Sequence, residues 1–131
     1  MSEQAIKKIL ITGANGFIGG SLMRYYQNQD QDVVGVDLVG NGDDIVEGDI
    51  SQPDTISQHL QECDVIIHTA ALVSNAMQDS DMWRVNVLAT RNLIQAAKEH
   101  KVRRFVQISS IVAYGNTAEG ELNETHPVHA D

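Results

Sequence analysis

The stretch Gly13-Ala14-Asn15-Gly16-Phe17-Ile18-Gly19 joins a short apolar run, Ile6–Thr12, to a run with helical periodicity, Gly16–Gln29. No other feature narrows the possible folds as much. The first run is rich in β-branched residues and reads as a strand. In the second, Ile18, Leu22, Tyr25 and Tyr26 recur at i, i+4, i+7 and i+8, the spacing of one helix face. Small residues at such a junction keep the turn tight and let backbone N–H groups approach a pyrophosphate. The positive end of the helix then faces the negative charge. The spacing is G-x-x-G-x-x-G, not G-x-G-x-x-G. Three glycines also suit a plain strand–helix turn, so the placement between strand and helix is what points to a phosphate cradle.

The alternation continues along the chain. Val33–Leu38 predicts a second strand, Ile45–Glu47 a short third, Asp64–His68 a fourth and Arg104–Ser109 a fifth. Ser51–Glu62 predicts a helix with Ser51 as N-cap and Pro53 in the first turn. Asp81–His100 predicts the longest helix, with Asp79 and Asp81 at its positive end and Lys98, His100 and Lys101 at its negative end. Strands that are apolar nearly throughout, separated by helices, imply an α/β fold: a doubly wound parallel sheet covered on both faces. A parallel crossover normally needs a dozen or more residues. Leu38–Asp44 is shorter, so the second connection is expected to be a bare loop. After Gly115 the periodicity stops.

Composition removes several function classes. The 131 residues carry 9 Lys and Arg against 18 Asp and Glu, a net charge of −9. Such a chain repels phosphate backbones, so no nucleic acid or anionic membrane is expected as partner. Cys63 is the single cysteine, which excludes an internal disulfide and suits a reducing compartment. No apolar run approaches the roughly 18 residues of a membrane span. Met1-Ser2-Glu3-Gln4 lacks the basic and apolar parts of a signal peptide, so the expected setting is cytoplasmic.

Candidate functional residues gather at strand ends. Asp37 follows Gly19 by eighteen positions and ends the second strand. A carboxylate there accepts hydrogen bonds from ribose hydroxyls and repels a 2′-phosphate, which favours NAD over NADP; the alternative is a surface Asp. In Gly48-Asp49-Ile50 the acid is placed to reach an adenine amino group or to serve a turn. His68-Thr69-Ala70-Ala71 ends the fourth strand with small residues that let backbone pass close to a cofactor, and His68 reads as packed. Asn86 shares a helix stripe with Thr90, Leu93 and Ala97; a buried amide there must be hydrogen-bonded, to backbone or water near a site or simply within the core. Ser109-Ser110 ends the fifth strand, where a hydroxyl can donate to and accept from a substrate oxygen. Tyr114 invites a reading as proton donor. His59, His100, His126 and His129 form no convincing ligand set, so no metal is expected. Cys63 reads as packing.

These pieces, in this order, resemble the N-terminal part of the extended short-chain dehydrogenase/reductase family, the NAD-dependent epimerase/dehydratase group. The resemblance runs over about residues 7–127 through Gly13/Gly16/Gly19, Asp37, Gly48-Asp49-Ile50, His68-Thr69-Ala70-Ala71, Asn86-Val87-Leu88-Ala89-Thr90 with Leu93, and Ser109-Ser110 with Tyr114-Gly115. Ala89 replaces the family's usual glycine. The resemblance implies a Rossmann-type sheet of strand order 3-2-1-4-5, stopping before a sixth strand. It implies NAD as cofactor, with Gly13, Gly16 and Gly19 and the amides of Phe17 and Ile18 at the pyrophosphate. Asp37 would hold the ribose, Asp49 with Ile50 the adenine, and Ala70 and Ala71 would line the cofactor. Asn86 would support the site, Ser110 would bond the reacting substrate oxygen, and Tyr114 would be structural. The family's catalytic Tyr-x-x-x-Lys is absent: Tyr25, Tyr26 and Tyr114 have no lysine four residues later.

The expected organisation is an NAD-binding domain over 1–115 and a tail, 116–131, that leads toward the catalytic helix and substrate lobe. The implied parent is a homo-oligomeric, dimeric enzyme. It would transfer hydride between nicotinamide and a nucleotide-linked sugar, as an epimerase, dehydratase or oxidoreductase. A reductase or hydroxysteroid-type dehydrogenase acting on a non-sugar alcohol stays open. So does a non-catalytic NAD-sensing module. The chain alone is expected to be inactive.

Overall fold

A computed structural model describes residues 4–73, 79–115 and 120–128. Strands β1 (Lys8–Thr12), β2 (Asp32–Asp37), β3 (Ile45–Glu47), β4 (Val65–His68) and β5 (Arg104–Gln107) form one parallel sheet. Their order is β3-β2-β1-β4-β5, as expected for a Rossmann-type half. β1 lies in the middle, with Thr12 opposite Val36 on one side and His68 on the other. Strands are added to one side of β1 and then to the other. The chain therefore opens a crevice beyond the carboxyl ends of β1 and β4, where ligands of such sheets bind.

Side chains of a strand alternate between faces, and β1 feeds two cores. Ile9 and Ile11 point to one face, packed with Ala14, Met23, Val65 and Ile67. Leu10 joins Val36, Ile56, Leu60, Ile66 and Leu93 on the other. A slip of one residue would exchange every pair, so the pattern itself sets the register. Helix α1 (Phe17–Asn28) covers the first face through Gly19 and Met23, with Leu22 and Tyr26 partly buried. Its apolar stripe differs from the expected one: Ile18 and Tyr25 are exposed.

The β2–β3 connection is a bare loop, as its length required. Asn41 Oδ1 accepts from the amides of Asp43 and Ile45, closing the loop without a helix. The expected helix Ser51–Glu62 is instead a 3₁₀ turn, Pro53–Thr55, and one α turn, α2 (Ser57–Leu60). Side chains compete with the helical ladder here. The Ser51 hydroxyl and amide both bond Asp49 Oδ1 instead of capping, and the Thr55 hydroxyl donates to the Gln52 carbonyl. Ile56 and Leu60, fully buried, still anchor the segment.

The long helix is continuous from Asp79 to Glu99 but changes pitch: α3 (Asp79–Trp83), a π turn (Arg84–Leu88) and α4 (Ala89–Glu99). The extra residue of a π turn is often a functional feature, and this one contains Asn86. β5 is an edge among the described residues, with Val106 and Ile108 each 36% exposed.

Candidate functional site

A cavity of about 760 Å³ lies at the carboxyl ends of the first four strands. Four segments wall it. After β1 come Gly13 and the helix start, Gly16–Gly19; around the end of β2, Val36, Asp37 and Leu38; after β3, Gly48, Asp49 and Ile50; and after β4, Thr69–Leu72. Asp81, Arg84 and Val85 of the long helix complete it.

The glycines of the turn have separable reasons to be glycine. Gly13 has φ +69°, where L side chains are strained, and a Cβ there would lie 2.9 Å from the Ala70 backbone. At Gly19 a Cβ would lie 2.1 Å from the Gly13 carbonyl oxygen, so helix and turn could not pack. At Gly16 the nearest atom would be that same oxygen at 3.1 Å, a tight but far milder contact. Phe17 and Ile18 open α1, where amides have no intrahelical acceptor. Free amides at the positive end of a helix suit an anionic group, and both residues line the cavity.

Asp37 is fixed by two backbone donors: the Asn15 amide reaches Oδ2 at 2.9 Å and the Leu38 amide reaches Oδ1 at 2.8 Å. An ionised carboxylate has about four lone-pair sites, so acceptor capacity is left over. The Asn15 side chain also donates to the Val39 carbonyl at 2.8 Å, tying the glycine turn to the loop after β2. Asn15 escaped the sequence reading because it stands between the glycines, at an x of the G-x-x-G-x-x-G spacing. The available signal was general: Asn at a turn tends to bond nearby backbone.

Asp49 Oδ1 accepts from the Ser51 amide at 2.9 Å. Asn86 does not line the cavity itself. Its Oδ1 accepts from the Leu72 amide at 2.8 Å and its Nδ2 donates to the Leu72 carbonyl at 3.0 Å. A single side chain thereby pins the wall after β4. His68 is fully buried, and burial lowers its pKa to about 4, so it is neutral at neutral pH. Burial also raises the Cys63 thiol, which agrees with packing.

Ser110 lies apart from this group. It follows β5, is exposed, and caps the 3₁₀ turn Ile111–Tyr114, its Oγ accepting from the Val112 amide at 3.4 Å. The Tyr114 hydroxyl donates to the Asn123 carbonyl at 3.2 Å, and its ring meets His126 edge-on. All ten residues expected at the cofactor line the cavity, whereas Ser110 does not. Arg84 and Val85, in the π turn, were missed because the change of helix pitch is not visible in the apolar spacing, and Asp81 was read only as a charge at the helix's positive end. No group of three His, Cys, Asp or Glu able to hold a metal occurs among the described residues.

Residues 9–130 match the model of the NAD dependent epimerase/dehydratase family. The chain belongs to that family. Low-salt glycan biosynthesis protein Agl12 of Haloferax volcanii is 31% identical over 138 residues, covering 92% of this chain and 44% of the relative. A short-chain dehydrogenase/reductase superfamily protein of Agrobacterium tumefaciens, solved with bound NAD, superposes with TM-score 0.83 at 32% identity, over 95% of this chain and 39% of that one. MoeE5 in complex with UDP-glucose and NAD gives TM-score 0.83 at 31% identity, over 94% and 42%. The chain thus spans less than half the length of each, and the fold is that of the short-chain dehydrogenase/reductase superfamily.

Proposed function

We propose that this chain binds NAD in the cavity and forms the cofactor-binding part of an enzyme that epimerises, dehydrates or oxidises a nucleotide-linked sugar. One observation carries the reading. A single cavity joins a glycine cradle that rejects side chains, a carboxylate held by two backbone amides, and a wall of small residues after β4. The volume lies within the usual range of ligand sites. The nucleotide-sugar part rests on the likeness to MoeE5.

In this reading Gly13, Gly16 and Gly19, with the Phe17 and Ile18 amides, hold the pyrophosphate. Asp37 accepts from the adenosine ribose hydroxyls, and its charge disfavours a 2′-phosphate. Asp49 and Ile50 meet the adenine, and Ala70 and Ala71 let the cofactor approach the sheet. NAD, when bound, supplies a hydride acceptor and donor. Asn86 positions the Leu72 backbone. Ser110 donates to the oxygen of the reacting carbinol. A general base for that proton belongs to a Tyr-x-x-x-Lys that these 131 residues do not contain, and Tyr114 is engaged elsewhere.

We place the NAD-binding unit at 1–115 and read 116–131 as the segment that leads toward a substrate lobe. Self-association through the β5 edge and a cytoplasmic setting belong to the same proposal. No helix among the described residues is long and apolar enough to cross a membrane.

Calorimetry with NAD and NADP tests the cofactor reading: NAD is expected to bind more tightly, and absence of NAD binding by folded chain would refute it. A panel of nucleotide sugars, assayed for NADH and for altered sugar, tests turnover. Binding without turnover is expected. Turnover surviving Tyr114→Phe would show that this chain carries its own acid/base elsewhere.

A further inference from the structure

His68, fully buried at the end of β4, joins three elements by hydrogen bonds. Its Nδ1 lies 2.6 Å from Thr12 Oγ1 on β1, and its Nε2 lies 2.9 Å from Thr90 Oγ1 on α4. The Thr90 hydroxyl is 2.9 Å from the Asn86 carbonyl, to which it donates. Thr12 Oγ1 also accepts from the Ala70 amide at 3.2 Å. Both ends of this chain therefore reach the cavity wall: Thr12 holds Ala70, and Asn86 holds Leu72 on both its amide and its carbonyl.

Counting donors orients the whole chain. A hydroxyl has one hydrogen and a neutral imidazole has one N–H. With the proton on Nε2, Thr12 donates to Nδ1, Nε2–H donates to Thr90, and Thr90 donates to the Asn86 carbonyl. Every hydrogen then has an acceptor. With the proton on Nδ1, the Thr12 hydrogen loses its acceptor, and Thr90 must choose between Nε2 and the Asn86 carbonyl. With both nitrogens protonated the Thr12 hydrogen is again orphaned, and a charge is buried unpaired. Leaving buried polar hydrogens unmatched is costly.

We propose that His68, held as the Nε2–H tautomer, is a positioning residue that sets the Ala70–Leu72 wall of the cavity through Thr12, Thr90 and Asn86. It touches neither substrate nor cofactor. It links the central strand to the π turn, so the small-residue wall is registered against the glycine turn that it abuts at Gly13. The functional weight of the proposal rests on the reading of this cavity as an NAD site; the tautomer and the wall do not.

Nitrogen-15 NMR of the imidazole in the full chain at neutral pH reads the tautomer without any substitution. An Nε2–H signature is expected, and an Nδ1–H or doubly protonated ring would overturn the proposal. Thr90→Val removes the acceptor of Nε2–H, and Thr90→Ser keeps it. Amide exchange of Leu72 should accelerate in Thr90→Val and stay near wild type in Thr90→Ser. NAD affinity should fall roughly fivefold in Thr90→Val, the worth of about one hydrogen bond, and recover in Thr90→Ser. Unchanged Leu72 exchange in folded Thr90→Val overturns the proposal. Accelerated exchange with unchanged NAD affinity reduces the relay to a strut of the core and overturns its functional half. If wild-type chain binds no NAD, the cofactor reading fails on its own, while tautomer and exchange still decide the relay.

Discussion

The carboxyl ends of β1 and β5 carry similar sequence signals, a strand running into small or hydroxyl residues, yet they are built very differently. After β1, Gly13 and Gly19 leave no room for a Cβ, and Asn15 joins the turn to Asp37 and Val39. After β5, Ser110 is exposed and its Oγ accepts one long hydrogen bond. The difference follows from neighbours. β1 has a strand on each side and a helix packed against its turn, whereas β5 pairs only with β4 among the described residues. A group becomes pre-organised when several elements converge on it, and residue type alone does not achieve that. Substitutions on the β1 side should therefore be costly and specific, and those on the β5 side nearly silent for cofactor binding.

The contrast is strongest within the glycine turn. Gly19→Ala should destabilise the fold by about 3 kcal/mol or more, because overpacking against backbone has no soft escape. Thermal or urea unfolding would show it. Gly16→Val keeps more of the fold, since its Cβ meets one atom at 3.1 Å. Its branched side chain would stand where phosphate must approach. NAD affinity should drop about a hundredfold, the worth of one or two charge-assisted hydrogen bonds, with little change in far-UV dichroism. Equal unfolding by both substitutions would merge the structural and the binding glycine into one role.

His68 gives the next effect, read in stability. Its folded pKa, about 4, lies below the unfolded value near 6.5. The unfolded chain binds the extra proton first as pH falls. The contribution of neutral His68 is thus fully present above about pH 6.5, declines between 6.5 and 4, and is gone below. The loss amounts to about 3 kcal/mol. Urea unfolding at pH 7 and pH 4.5, compared with His68→Gln to remove the carboxylate background, should show a steeper decline in the native chain. Parallel pH profiles would mean that His68 is hydrated in the folded state.

How much of this was legible in the sequence depends on how local the determinant is. The strand–glycine–helix junction, Asp37 and the bare β2–β3 loop rest on short-range pattern and loop length, and the structure bears out their placement. The helix expected over Ser51–Glu62 was misjudged because Asp49, Ser51 and Thr55 bond each other and the backbone, which apolar spacing does not reveal. Asn86 reads in the sequence as a buried amide needing partners, but its partner Leu72 follows β4, outside the helix whose spacing marks Asn86. The π turn that brings Arg84 and Val85 to the cavity has no signature in a stripe counted at a fixed period.

Asp37 tests the β1 side with a moderate effect. Asp37→Ser removes the charge but leaves a hydroxyl that can still bond ribose. NAD should bind somewhat more weakly and NADP more tightly, narrowing the ratio of affinities by about tenfold, since a like-charge clash of a kcal/mol or more is relieved. Equal affinities for the two cofactors in the native chain would remove Asp37 from the ribose.

Ser110→Ala should be the quietest change. The side chain is exposed, its hydrogen bond to the Val112 amide is long at 3.4 Å, and it is absent from the cavity wall that holds all ten residues expected at the cofactor. Surface substitutions of this kind stay within about 0.5 kcal/mol, so the NAD dissociation constant and the unfolding equilibrium constant should each change by no more than about twofold. Its proposed partner is a substrate oxygen and not the cofactor, and calorimetry with NAD alone isolates that distinction. A loss of NAD affinity approaching that of Asp37→Ser would mean that the β5 end folds over the cofactor when it binds. The two strand ends would then differ only in when they become ordered, not in whether both belong to the cofactor site.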